Sequence, residues 1–229
     1  MRPPMILASN QPYFLPYFPY WQLIHAADRF LVADDFAYIK HGWINRNRIQ
    51  MDSRVIWLRV ELQKISSFKL IRDTFLAEPL SFSDKLRTVE TAYHKAPFFK
   101  EGYALTERIF SCPERNLALF LGASILQVCA YLDIDTPIGR TSSLEGNVLL
   151  KREQRVYDMC HRLGATHFVN PIGGQALYGF DAFRRQGIRL SFLNSQASEA
   201  GKLSVLDAIM NHSRDELHAM LDQYTFIDG

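Results

Sequence analysis

Short apolar runs and amphipathic stretches alternate along most of the chain. Residues 5–8 and 29–33 are typical of buried strands, and residues 20–27 between them form a helical pattern that Pro19 introduces. A strand, a helix and a second strand in this order predict two parallel neighbours in one sheet. The alternation returns in the second half, with predicted strands at 137–141, 166–170 and 188–193 and predicted helices at 149–163, 181–186, 204–211 and 214–221.

Two regions break this alternation. Residues 42–62 contain two extended patterns and predict an antiparallel hairpin at the edge of the sheet. Residues 82–133 contain three helical patterns separated by prolines. The predicted fold class is α/β, with a mostly parallel central sheet, flanking helices, an antiparallel edge hairpin and a helical middle section. We expect a single domain over residues 1–229; two lobes, 1–80 and 137–229, bridged by the helices are the alternative organisation.

Composition and charge argue against a protein that binds nucleic acid or spans a membrane. The 229 residues are 48% hydrophobic, and 26 basic against 24 acidic residues leave a net charge of +2. This balance provides no global attraction to nucleic acid or to an anionic membrane, so any anion site must be local. No window approaches the roughly 18 apolar residues of a membrane span, and no signal peptide is expected. Three cysteines without CxxC spacing predict a cytoplasmic protein with reduced thiols, at Cys112, Cys129 and Cys160.

Polar residues follow each of the first four predicted strands. Ligands of an open α/β sheet bind beyond the carboxyl ends of its strands, where the strand order reverses, so these positions predict a site for a polar, hydroxylated ligand. Turn formation without a ligand is the alternative. Because side chains alternate along a strand, we expect only one of Asp34 and Asp35 to face the site. The predicted site residues are Asn10, Gln11, Asp34, Asp35, Thr141, Ser142, Asn170, Gly173 and Gly174.

Glycines and cations provide candidate anion sites. Gly173 and Gly174 lie between a predicted strand and a short helix, where unhindered backbone amides can bind an anion. Lys151 and Arg155 are four residues apart in a predicted helix, so they are expected to share one face and to hold a phosphate between them. A solvated helix face is the alternative for these two cations.

The segment HGWINRNRIQ, residues 41–50, places a polar cluster between residues that favour burial. Its two isoleucines fall on opposite faces of an extended strand, so a bend or bulge is predicted near residues 45–47. Arg46 is predicted to clamp an anion. Asn45 and Asn47 are predicted to hold the local shape or to bind a ligand, with Trp43 on the same side as these two amides.

Aromatic and histidine residues complete the set of candidates. The aromatic run in the loop rich in proline could line a pocket for a base or a sugar ring; it consists of Tyr13-Phe14, Tyr17-Phe18 and Tyr20-Trp21. Tyr178 could stack on a ligand or bind it by a hydrogen bond, and buried packing is the alternative. The histidines have no zinc-binding spacing, and no nucleophile elbow is present, so the sequence predicts neither a metal site nor covalent catalysis. His41 is a candidate general base, as is His94.

Many of these residues, in this order, resemble the WbqC-like protein family over nearly the whole chain. The WINRNRI segment is the most specific part. The matching residues are Asn10-Gln11-Pro12-Tyr13, Pro16, Tyr20-Trp21, Ala27-Asp28, Asp34-Asp35 and Trp43-Ile44-Asn45-Arg46-Asn47-Arg48-Ile49, then Arg155-Val156, Cys160, Leu163-Gly164-Ala165-Thr166, Asn170-Pro171, Gly173-Gly174, Leu177-Tyr178, Gly187-Ile188 and Leu203-Ser204-Val205-Leu206-Asp207.

The resemblance implies a cytoplasmic role in making or modifying an activated sugar, because the family is associated with gene clusters for O-antigen and other surface polysaccharides. It brings no settled reaction, and the cofactor is unknown. The linker 194–202 departs from the family pattern, and a different choice of substrate is expected if that segment covers the ligand in relatives.

Two functions are compatible with these observations. The first is a transferase that modifies a nucleotide-linked amino sugar, for example by N-acylation: Arg46, or Lys151 with Arg155, would hold the phosphates, and Asp34, Asp35 or His41 would accept a proton. The second is a non-catalytic sugar- or nucleotide-binding protein of the same pathway. A nucleotidyltransferase-like fold is a weaker third, since the HxGH histidines are absent. A homodimer is compatible with the sequence but not required by it.

Overall fold

The computed structural model describes residues 5–78, 82–196 and 202–229. Its strands are, in chain order, β1 (Ile6–Asn10), β2 (Arg29–Val32), β3 (Arg46–Met51), β4 (Arg54–Arg59), β5 (Ile138–Arg140), β6 (His167–Pro171), β7 (Arg189–Ser195) and β8 (Tyr224–Asp228). Its α-helices are α1 (Phe18–His25), α2 (Ser83–Tyr93), α3 (Phe99–Phe110), α4 (Leu117–Tyr131), α5 (Glu153–Leu163), α6 (Phe180–Arg185), α7 (Val205–Asn211) and α8 (Arg214–Leu221). Two predictions fall partly outside the described residues: the absence of a signal peptide, made from residues 1–10, includes residues 1–4, and the changed linker 194–202 includes residues 197–201.

Six strands form the central sheet in the order β5-β2-β1-β6-β7-β8. The four pairings from β5 to β7 are parallel, and β8 alone pairs antiparallel, with β7. The chain leaves β1 toward β2 on one side and returns much later to place β6 on the other side. The strand order therefore reverses between β1 and β6, which is where a doubly wound sheet opens a crevice at its carboxyl edge. The predicted α/β class with a mostly parallel sheet is confirmed.

Both faces of the sheet are buried, which explains why its strands are nearly continuous apolar runs. Adjacent residues of one strand enter different hydrophobic clusters: Leu7 and Phe168 pack with α5 and α6, whereas Ala8 and Val169 pack with α1, α7 and α8. The pleat sends neighbouring side chains to opposite faces, so each strand contributes to both clusters. The helices thus cover both faces of the sheet, and a ligand site is expected at its carboxyl edge.

The predicted hairpin is present, but its predicted position at the edge of the central sheet is wrong. Strands β3 and β4 form a separate two-stranded sheet with a regular register from Arg46 opposite Arg59 to Met51 opposite Arg54. The predicted change of direction is a bend over residues 42–45, before β3 begins, and not a bulge inside the strand. The hairpin packs on α2 and on the start of α7, where the Ser204 amide donates to the Arg48 carbonyl at 2.8 Å.

Helices α2, α3 and α4 confirm the predicted helical middle section. They belong to the same hydrophobic cluster as α1, α7 and one face of the central sheet. Phe110 of α3 stacks on Phe82 with ring centroids 4.6 Å apart, and on Phe14 of the first loop at 6.1 Å. The first loop is thereby held against the middle helices, while the division of the chain into lobes stays a prediction.

Two other boundaries differ from the sequence prediction. Helix α5 begins at Glu153 and not at Leu149, because Arg152 has a φ of +50° and ψ of −128°, which no helix accommodates. It ends as predicted at Gly164, whose φ of +71° provides the left-handed cap that glycine favours. Strand β8 was not predicted; the short run after α8 adds an antiparallel edge to the sheet.

Candidate functional site

A cavity of about 810 Å³ opens at the carboxyl edge of the central sheet, between β1 and β6. Its volume lies within the range of about 300–1,000 Å³ that is typical of small-molecule sites. Its location is the one that the strand order predicts. Among the predicted site residues, those that line it are Asn10, Gln11, Tyr13, Arg155, Asn170, Gly173, Gly174 and Tyr178.

Amides and glycines form the wall on the β1 and β6 side. Asn10 Oδ1 accepts a hydrogen bond from the Gln11 backbone amide at 2.9 Å, which fixes the direction of this side chain. Asn170 lies directly over Gly174, since a Cβ at that glycine would be 1.9 Å from Asn170 Nδ2. Gly173 has open space at the same position. Gly174 is therefore required for close packing beneath Asn170, whereas Gly173 leaves backbone accessible to a ligand.

Three tyrosines line the cavity together with Phe36 and Phe168. Burial raises the pKa of Tyr13 to about 12 and also raises the pKa values of Tyr17 and Tyr178. Tyr178 packs edge-on against Phe168 and Phe183, so it is both a packed residue and a lining residue. These phenols stay neutral near pH 7 and can stack on a ring or donate hydrogen bonds, but they do not act as bases.

A buried ion pair joins two sides of the cavity. Arg155 Nη2 donates to Asp35 Oδ1 at 2.6 Å, and its guanidinium lies over the Phe36 ring with 4.1 Å to the centroid. Thr141 Oγ1 also donates to Asp35 Oδ1 at 2.6 Å. Asp35 Oδ2 is buried and has no hydrogen-bond partner among the described residues. Arg155 reaches the cavity, and Asp35 lies behind it.

Asp34 binds the turn that follows β5. Its carboxylate accepts from the Ser142 amide at 3.0 Å and from Ser142 Oγ at 2.7 Å, and its Oδ1 lies 3.4 Å from Thr141 Oγ1, whose proton is donated to Asp35. The prediction that Asp34 and Asp35 point to opposite sides is wrong, since both reach Thr141. The reason is that β2 ends at Val32 and the two aspartates lie in a turn, where strand alternation does not apply.

The polar cluster of residues 45–47 fastens the hairpin to the rest of the protein and lies away from the cavity wall. Arg46 donates to the carbonyls of His41 and Gly42 and stacks on Trp57 with 4.1 Å to the centroid. Asn45 donates to the Val60 carbonyl at 2.9 Å. The shape-holding alternative predicted for the asparagines is therefore seen, and the guanidinium of Arg46 is occupied by backbone and ring contacts.

Asn47 joins the hairpin to the first loop. Its Nδ2 donates to the Leu15 carbonyl at 2.7 Å, and the side chain is buried. Trp43 lies 5.3 Å from the guanidinium carbon of Arg48, which puts it on the arginine side of the segment. The predicted placement of Trp43 beside the asparagines is wrong because the bend over residues 42–45 rotates it.

Two more predicted residues lie outside the cavity wall. His41 is exposed in the turn before the hairpin, with a φ of +62°. Lys151 is exposed and precedes α5, so the prediction that it shares a helix face with Arg155 is wrong. Arg155 itself is buried and paired with Asp35, which leaves no phosphate site between these two cations.

Two further lining residues matter for a ligand: Tyr17, from the aromatic run predicted to line a pocket, and Arg152, which is not among the predicted site residues. Tyr17 lies in the first loop, and Arg152 precedes α5. The spacing of four residues that predicts a phosphate site at Lys151 and Arg155 does not include Arg152, although it is the next residue after Lys151. Within the described ranges, no group of three or more His, Cys, Asp or Glu residues is arranged to hold a metal ion. None of the described helices is long and apolar enough to cross a membrane.

The structure is that of an α/β protein with a cavity at the reversal point of a mostly parallel sheet. The chain belongs to the WbqC-like protein family, whose sequence pattern matches residues 11–219. It is 25% identical over 222 residues to the uncharacterized protein Rv1507c of Mycobacterium tuberculosis (strain ATCC 25618 / H37Rv), an alignment that covers 92% of this chain and 94% of that protein. No solved structure matches the chain.

Proposed function

We propose that the cavity binds a nucleotide-linked sugar and that the protein is a cytoplasmic transferase acting on this sugar in surface-polysaccharide (O-antigen) biosynthesis. The observation that carries the proposal is the 810 Å³ cavity at the carboxyl edge of the sheet, with both amide and aromatic walls. Its size suits one nucleotide sugar better than a macromolecule. The association of the family with polysaccharide gene clusters supports the choice of an activated sugar.

The two walls fit the two halves of such a ligand. Tyr13 and Tyr17 offer neutral aromatic rings to a nucleobase. Asn10, Gln11 and Asn170 offer amide donors and acceptors to sugar hydroxyls, which need both. An apolar ligand would leave the side-chain N–H donors of these three amides without partners, and that loss opposes its binding.

A transfer reaction also needs a proton acceptor. No carboxylate or histidine is found among the described lining residues, so the acceptor has to act from behind the cavity wall. We assign this role to Asp35, which lies behind Arg155 and whose Oδ2 has no hydrogen-bond partner among the described residues. In an N-acylation, the sugar amine nitrogen bonds to the acyl carbon of an activated donor. The bond from that carbon to the donor's leaving group breaks, and the amine proton passes to Asp35. Such proton acceptance typically contributes about 100- to 10,000-fold in rate.

A non-catalytic binding protein of the same pathway is the second candidate. It is favoured by one observation: the side chains of Asp34, Asp35 and His41 do not form part of the cavity wall. In that case the Asp35–Arg155 pair only shapes the cavity.

Calorimetric titration with a panel of nucleotide sugars tests the binding part of the proposal, and ligand-induced heat stabilisation provides a second measure. No binding of any nucleotide sugar at millimolar concentration would contradict it. Mass spectrometry of the sugar after incubation with acyl-thioester donors tests the transferase part. Asp35→Asn, assayed under conditions where circular dichroism shows that the variant is folded, is expected to abolish transfer while sugar binding remains, and Asp181→Asn, an exposed carboxylate of α6, is the control. Binding without any transfer would favour the second candidate.

A further inference from the structure

Arg152 has a backbone conformation that is unfavourable for any residue with a side chain. Its φ of +50° and ψ of −128° lie in a region that glycine adopts readily and other residues adopt under strain. Nothing about the backbone at this position calls for arginine, since glycine would form the same turn at lower cost. The presence of arginine is therefore explained by what its side chain does.

The side chain of Arg152 lines the cavity and is free to bind a ligand. It is exposed and makes no hydrogen bond or ion pair with any part of the chain that the structure describes. The nearby carboxylate of Glu153 accepts from the Gly179 amide at 3.4 Å instead. The guanidinium is thus available on the wall of the site.

The charges that line the cavity indicate what kind of ligand the free guanidinium of Arg152 binds. Two cations, Arg152 and Arg155, and no carboxylates are found among the described lining residues. Asp35, at 2.6 Å, offsets the charge of Arg155. One positive charge therefore remains without a counter-ion at the cavity, and it is the charge of Arg152. A ligand that complements this site carries an anionic group.

We propose that Arg152 binds the phosphate of the ligand, an inference that rests on the proposed function and specifies it. A guanidinium can donate two parallel N–H bonds to phosphate oxygens, and this bidentate geometry is stronger than a single neutral hydrogen bond. The phosphate site is then at the start of α5, opposite the amide wall. Arg46 and Lys151 have no part in it. The tyrosines would hold the base and the amides the sugar.

The test compares Arg152→Gly with Lys151→Ala, a neighbouring exposed cation outside the cavity wall. Arg152→Gly is expected to raise the melting temperature, because glycine relieves the strain, and to weaken binding of nucleotide sugars and of inorganic pyrophosphate by about 10- to 100-fold, the range for a lost hydrogen bond to a charged group. Lys151→Ala is expected to change neither. Higher salt should weaken binding to the wild type more than binding to Arg152→Gly.

The possible results separate this inference from the proposed function. If the wild type binds a nucleotide sugar and Arg152→Gly binds it equally well, the phosphate assignment is overturned and the proposed function stands. If pyrophosphate binds through Arg152 but no nucleotide sugar binds, the phosphate assignment stands and the proposed function fails. Absence of binding by any phosphate compound overturns both. A lower melting temperature for Arg152→Gly together with unchanged binding would show that the arginine stabilises the fold and does not bind phosphate, which also overturns the assignment.

Discussion

Arg155 and Asp35 lie 120 positions apart in the sequence, and their side chains meet at 2.6 Å in the interior of the protein. Arg155 belongs to the first turn of α5, and Asp35 belongs to the turn after β2. Their contact joins the helix on one side of the cavity to the sheet on the other. The width of the cavity between these two elements depends on this pair.

Asp35→Asn is expected to destabilise the protein. The substitution keeps the shape of the side chain but leaves the buried charge of Arg155 without a partner, which typically costs about 3–5 kcal/mol. Urea unfolding followed by circular dichroism measures the change. A second substitution, Arg155→Met, should restore most of the loss when combined with Asp35→Asn.

The exposed pair of Asp181 and Arg184 provides the matched control, since Asp181→Asn there should cost about 1 kcal/mol or less. Equal losses at the buried and the exposed pair would contradict the structural role of the Asp35–Arg155 contact. If the loss at both pairs is about 1 kcal/mol or less, the Asp35→Asn variant is folded, and its loss of transfer can be interpreted directly.

Gly174→Ala is expected to reshape the amide wall. Its new Cβ would lie 1.9 Å from Asn170 Nδ2, so the Asn170 side chain has to move out of its position. We expect roughly a tenfold loss of ligand affinity and a stability loss of about 1–3 kcal/mol. Gly173→Ala, where the added Cβ meets open space, should change both by little.

A double-mutant cycle identifies the cause of this effect. If Gly174→Ala acts by displacing Asn170, it should add little to Asn170→Ala, because both changes remove the same side chain from the wall. Fully additive losses of affinity and stability would show that Gly174→Ala does not act through Asn170.

Stability is expected to fall in mildly acidic solution because of His167. Burial lowers the pKa of this histidine below its usual 6.5, and the charge of Arg189 acts in the same direction. The unfolded chain then binds a proton more readily than the folded one, so stability is full above pH 6.5 and decreases as the pH falls toward the lowered pKa.

Urea midpoints at about pH 7.5 and about pH 5.5 measure this dependence, and His167→Gln should reduce it, by up to about 1.4 kcal/mol for each pH unit in the window. Asp228 and Ser191, which lie beside His167 in the sheet, remain unchanged in this variant. His161→Gln on the exposed face of α5 is the control. An identical pH dependence in wild type and His167→Gln would refute the assignment.

The cysteines are expected to react in two classes. Burial raises the pKa values of Cys129 and Cys160 to about 12, so at about pH 8 only a fraction near 1 in 10,000 of each is thiolate. Cys112 is only half-buried. A colorimetric thiol reagent should therefore modify one thiol in the folded protein and three after unfolding, and Cys112→Ser should remove the fast reaction. Rapid reaction of Cys129 or Cys160 in the folded state would show that the helices around them open.

The sheet and the place of its crevice could be predicted because they depend on patterns that the sequence carries directly. Strands buried on both faces are apolar throughout, as Phe168-Val169 in β6 shows, and parallel order follows from the intervening helices. The reversal of strand order then fixes which polar residues meet. Asn10 and Asn170 come together from distant parts of the chain for this reason alone.

The partners of individual polar side chains could not be predicted. Asn47 binds the carbonyl of Leu15, and Arg46 binds carbonyls of its own turn, yet in the sequence both look the same as ligand-binding residues. The sequence does not indicate a role for Arg152. The apolar residues before it extend a helical pattern, and no neighbouring residue predicts its positive φ. Strand β8 is short and follows a helix, so only its pairing with β7 identifies it.

The position of β1 at the centre of the sheet has a consequence for synthesis on the ribosome. Ile6 pairs with His167, so β1 has a neighbour on one side only until most of the nascent chain has emerged. An unpaired strand edge promotes association with other chains, and contacts so distant in sequence form slowly. We expect the nascent chain to need chaperones until β6 has emerged and paired with β1. No ligand can assist, since both walls of its cavity exist only after β6 has joined β1.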